Sequence, residues 1–102
     1  MKKMYHATKF SNLQSIMEKG LVPGVDRIVY LAESAEKAIR FIGIRVFNEP
    51  VLVIEVEVDE GELQETFDHS YSFFKCRSFG YPRVIPFDRV TDMWKYERQR
   101  EG

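Results

Sequence analysis

Cysteine is nearly absent from this 102-residue chain, with Cys76 the only one. A single thiol excludes an intramolecular disulfide and any cysteine-cluster metal site, and it suits a reducing compartment. Histidine is almost as scarce: His6 and His69 stand alone. Neither has a second ligand at i, i+4 or across a turn, so no metal site is expected. Long hydrophobic runs are missing too. Without an 18-residue apolar stretch no membrane-spanning helix is expected. The start, "MKKMYHATKF", has two lysines but not the apolar core of a secretory signal. Cytoplasmic location with no membrane partner is the resulting expectation. Charge of one sign is not in excess either. Fifteen Lys and Arg against sixteen Asp and Glu leave a formal net charge of -1, which is no electrostatic footprint for gripping a nucleic-acid backbone. Nor is there a glycine-rich phosphate loop, because "GLVPG" has two glycines at the wrong spacing for a P-loop or a dinucleotide fingerprint.

What is present is ordinary globular composition, 44% hydrophobic and 30% charged, in a length that supports one core and one domain, residues 1–102. Aromatics reach 14%, with eight Phe and five Tyr, and they must cover either a core or a ligand. Charge is segregated along the chain. The middle, "EVEVDEGELQE", is acidic, whereas Lys75, Arg77, Arg83, Arg89, Lys95, Arg98 and Arg100 crowd the C-terminal third.

Residues 4 to 7 read as a short strand. A helix follows, with Ser11 and Gln14 spaced as a capping box and Gly20 placed for a left-handed stop. Leu13, Ile16 and Met17 share its apolar face. After the turn "VPGVD", residues 27 to 32 ("RIVYLA") form a second strand. Ser34 is a natural N-cap for a second helix with an apolar stripe of Ala35, Ala38, Ile39 and Ile42. The run "PVLVIEVEVD" is the clearest strand. Val51 to Ile54 are apolar on both faces, as in a central strand, and Glu55 to Val58 alternate. "DEGEL" turns the chain, and "YSFFKCRS" and "RVIPFDRVTDMWKYER" read as β segments broken by Gly80, Pro82 and Pro86. The order β-α-β-α-β followed by β segments gives the expectation of an α+β domain. It would hold a curved mixed sheet, or a pair of small sheets, with two helices packed at one end.

His6 and Thr8 occupy alternate positions of one strand and so point the same way. An imidazole beside a hydroxyl suits a sugar diol; the plainer reading is a hydrogen-bonded structural histidine. Tyr30 lies within an apolar strand, as a core aromatic or as a flat ring that stacks on a heteroaromatic ligand. Arg27, just before it, is either a phosphate contact or a solvated turn residue. His6 and His69 would suit acid–base work on RNA, but nothing in their spacing brings them together. Glu55 and Glu57 share one face and read as solvated, and Cys76 between Lys75 and Arg77 has no partner in the sequence.

Taken in order, these pieces resemble a known family. "YHATKFSNLQSIMEKGLVPGVDRIVYLAESAEKA" is similar to the NAD-binding half of the RNA 2'-phosphotransferases and, beyond them, to the ADP-ribosyltransferase superfamily. The shared pattern is a strand with His-Gly/Ala-Thr, a helix ending "I...GL.P", a turn with arginine, a strand with an aromatic or histidine before leucine, and a capped alanine-rich helix. "GIRVFNEPVLVIEVEVDEGEL" and "YPRVIPFDRV" continue it, so that the resemblance spans residues 4 to 90. It implies an ADP-ribosyltransferase-like fold with NAD as substrate and a macromolecular acceptor, nucleic acid or protein. His6 and Thr8 would contact ribose hydroxyls, and Tyr30 would stand beside the nicotinamide ring. Arg27 and Arg45 would meet pyrophosphate or substrate phosphate. Two departures stand out. The phosphotransferases carry an additional N-terminal lobe, for which this chain has no room, and the late-strand glutamate of His-Tyr-Glu transferases is missing from "SFGYPRVIPFD". Arg83, Tyr81 or Ser78 would have to stand in, with Arg83 the catalytic choice. The alternative is a binder of NAD-like nucleotides or of a partner protein on the same fold without turnover, such as a small regulatory or phage-encoded protein.

Overall fold

The apolar run at residues 51–58 becomes the middle strand of the first of two sheets. In a computed structural model, which describes residues 1–24, 27–42, 49–66 and 78–97, β1 (Lys2–Lys9), α1 (Leu13–Lys19), β2 (Val29–Leu31), α2 (Ala35–Ile42), β3 (Val51–Val58), β4 (Gln64–Thr66), β5 (Ser78–Tyr81) and β6 (Val90–Tyr96) follow one another. They form two three-stranded sheets, β1-β3-β6 and β2-β5-β4. The architecture is α+β. Every ladder between these strands is antiparallel, so the sheets are not mixed as the β-α-β order suggested. Each helical connection returns the chain to a sheet without placing consecutive strands side by side in parallel.

Parity along β3 explains its burial. Leu52, Ile54, Val56 and Val58 join Met4 of β1, Val29 and Leu31 of β2, Ile16 of α1, Leu21 and Ile85 in the main core cluster between the sheets. Val51 and Val53 are buried as well but point to the other face, where α2 lies against β1 and β3 and Ala38 is buried. A strand covered on both sides has no place for polar residues until it leaves that cover, which is where Glu55 appears. Glu55 is not merely solvated. Its carboxylate accepts from the Tyr5 hydroxyl at 2.9 Å and from the Thr91 hydroxyl at 2.8 Å, with Lys3 Nζ 3.6 Å away. The Thr91 and Tyr5 bonds hold its pKa below the ordinary carboxylate value, and the Glu55 bond pushes the Tyr5 phenol up. Thr91 is the extra residue of a β-bulge, since Glu55 pairs with Asp92 and Val56 with Val90.

Helix boundaries follow local chemistry, with one departure. Ser34 caps α2, its hydroxyl accepting from the Lys37 amide at 3.2 Å. The capping box expected at Ser11 and Gln14 does not form. A 3-10 turn at Phe10–Asn12 delays α1 to Leu13, the Ser11 hydroxyl donates to Glu49 at 3.2 Å, and Gln14 donates to Glu18 at 3.3 Å. Met17, expected on the apolar face, is exposed. Gly20 does end α1, at φ 75 and ψ -162, a conformation essentially reserved for glycine. There it lets Leu21 and Ile85 exchange two backbone bonds of 2.8 and 2.9 Å. The residues from Arg83 to Arg89, expected as strand, hold only that isolated bridge and a 3-10 turn at Phe87–Arg89. Pro86 before the turn has no amide to give a ladder. Most of "YSFFKCRS" lies outside the described residues.

Candidate functional site

Strands β1 and β2 belong to different sheets and are joined at one place. Tyr5 and Ala32 exchange backbone bonds, Tyr5 N to Ala32 O at 2.9 Å and Ala32 N to Tyr5 O at 2.8 Å. Past that bridge His6 spans the gap: its Nδ1 lies 2.7 Å from the Tyr30 carbonyl oxygen. A carbonyl can only accept, so Nδ1 carries the proton of the neutral ring and Nε2 keeps a lone pair. Burial pushes the His6 pKa below its ordinary 6.5, and the bond to the Tyr30 carbonyl works in the opposite direction. At neutral pH the ring is uncharged and presents an acceptor.

Thr8 lies two residues along the same face of β1 and accepts from Asn12 Nδ2 at 2.8 Å. Asn12 occupies the N-cap position of α1 but gives that helix no side-chain bond; its amide is turned back to order Thr8 instead. On β2, Val29 and Leu31 are buried while Tyr30 between them is 39% exposed. Strand alternation therefore sends the tyrosine ring away from the core, and the core-aromatic reading of Tyr30 is set aside. His6, Thr8, Asn12, Ser15 and Tyr30 line one open cleft of about 530 Å³, with Ile16, Leu21, Val22 and Ile28 among its apolar walls. Clefts of about 300–1,000 Å³ with a few convergent polar groups are the usual size for a small-molecule site.

The remaining candidates are placed differently. Arg27 is exposed, with a positive φ of 62, and its amide donates to the Gly24 carbonyl at 2.9 Å. It sits between Gly24 and Ile28, both of which line the cleft, and so stands at the rim. Arg83 follows the end of β5. Its Nε is 3.0 Å from Glu62 Oε2 as an ion pair without an aligned hydrogen bond, and it does not line the cleft with His6 and Tyr30. Tyr81 belongs to the same group, its phenol pKa pushed up by burial and then by Glu62. Arg45, His69 and Cys76 lie outside the described residues. Among the described residues no three His, Cys, Asp or Glu side chains are grouped to hold a metal.

Sequence reasoning missed Asn12 and Ser15. Their spacing of three puts both on one face of a helix directly after His6-x-Thr8. That pattern was the available signal, obscured because Asn before a helix reads as a cap. The chain matches no model of a known protein family and no curated protein.

Proposed function

We propose that the chain is an ADP-ribosyltransferase-like domain that binds NAD in the His6–Tyr30 cleft and transfers ADP-ribose to a macromolecule, nucleic acid or protein. The observation that carries this reading is convergence. His6, Thr8 and Tyr30, singled out on two strands 24 residues apart, line the same open cleft. His6 Nε2 can accept from a ribose hydroxyl, Thr8 can donate to its neighbour, and Tyr30, 39% exposed and among the residues lining the cleft, would bring its ring to nicotinamide. Arg27 at the rim is the phosphate candidate. In the transfer, the ribose C1'–N bond breaks and its electron pair leaves with nicotinamide. The oxocarbenium-like centre that remains is captured by a nucleophile of the acceptor, which gives up its proton.

One feature favours the second reading, a binder without turnover. The described residues lining the cleft include no Asp or Glu, so none of them sets a carboxylate against a developing oxocarbenium charge. Nicotinamide release from NAD separates the two. A transferase releases nicotinamide, and His6→Ala and Tyr30→Ala lower the rate by about a hundredfold, the usual scale for losing one transition-state contact, while still unfolding cooperatively. No release together with a higher melting temperature in NAD supports the binder. Neither release nor a thermal shift with NAD or ADP-ribose rejects both.

A further inference from the structure

Among the described residues, those lining the cleft include no Lys, Arg, Asp or Glu, in a chain of which 30% is charged. The polar groups of this lining are ones that exchange hydrogen bonds with hydroxyls: His6 Nε2 accepts, the Thr8 hydroxyl can donate because it already accepts from Asn12, and Ser15 can do both. Tyr30, 39% exposed, and the aliphatic residues of the lining supply apolar surface for a flat base.

We propose that this cleft recognises the uncharged nucleoside part of its ligand, the ribose diol and its base, and leaves the phosphates in solvent. The proposal rests on the nucleotide reading above and narrows it. A phosphate drawn into this lining would exchange water for groups that carry no positive charge, which is unfavourable. Arg27, the cation placed at the rim, is exposed, and there screening holds one ion pair to about a fivefold gain in affinity or less. Affinity then resides in the nucleoside and is insensitive to salt.

Isothermal titration of the full chain with NAD, nicotinamide riboside and adenosine, at about 50 and about 300 mM salt, tests this. At least one nucleoside is expected to bind within about tenfold of NAD, with a Kd that changes less than about twofold between the two salts. Arg27→Ala should narrow whatever gap remains. Tyr30→Leu should weaken the nucleoside about tenfold or more, and Tyr30→Phe, which keeps the ring, should not. NAD binding more than about tenfold tighter than both nucleosides, or a strong salt dependence of nucleoside binding, overturns the proposal and leaves the NAD site standing. Nucleoside binding without NAD binding has the reverse effect. Absence of binding by all three removes both, and nucleoside binding unchanged in Tyr30→Leu places the ligand outside the cleft and overturns the proposal.

Discussion

His6 is held in one tautomer by the Tyr30 carbonyl, and burial makes it harder to protonate than in the unfolded chain. The unfolded state therefore takes up a proton as the pH falls below about 6.5, before the folded state does, and stability declines over that window. Above it both states are neutral and the contribution is flat. His6→Gln removes the titration while keeping a side chain able to donate. Between about pH 7 and about pH 5 the wild type should lose more unfolding free energy than His6→Gln in urea titrations. Parallel pH dependences would show that the ring is not shielded. At this scale the sequence was informative about position and silent about state. That His6 and Thr8 share a direction follows from strand geometry, whereas the tautomer is set by a carbonyl on β2. Tyr30 shows the converse, because its composition context pointed to the core and its alternation with Val29 and Leu31 pointed out.

Among the elements, α1 has a poorly anchored beginning and a firmly specified end. Its expected cap is displaced by the 3-10 turn at Phe10–Asn12, and Asn12 serves Thr8. Its end depends on Gly20, where a β-carbon would run into the Ile85 carbonyl oxygen and where φ and ψ suit only glycine. Gly20→Ala is expected to cost about 2 kcal/mol or more in unfolding free energy, from backbone strain and the collision together. A loss below about 0.5 kcal/mol, as for an ordinary surface substitution, would refute the assignment. Gly20 also lines the cleft, so this stop aligns one of the cleft walls. Strand β4 escaped sequence reading because "QET" has neither length nor apolar alternation, and it is a strand only because β5 supplies its partners.

For the whole molecule, β3 is the common wall of two packed layers, one with the second sheet and one with α2. Ile54, fully buried and opposite His6, is where removal of a side chain leaves a space that neighbouring strands cannot fill. Ile54→Ala should destabilise by about 3 kcal/mol, against under about 0.5 kcal/mol for Val22→Ala on the exposed rim of the cleft. Comparable losses in chemical denaturation would mean that the core is not centred on β3.

By itself the sequence determined the central strand, the cap of α2, the glycine stop of α1 and the shared direction of His6 and Thr8. Each of these follows from chemistry within a few residues: alternation, a hydroxyl three residues from an amide, or a conformation open to one residue type. Tertiary structure alone decided that β1 and β2 part beyond Tyr5 and Ala32, that Tyr30 meets His6 across the gap, and that Arg83 belongs to Glu62 instead. Those outcomes depend on pairings between residues 21 or more apart in the chain. Local pattern carries no information about such distances, because the free energy that fixes them is gained only when the whole core closes.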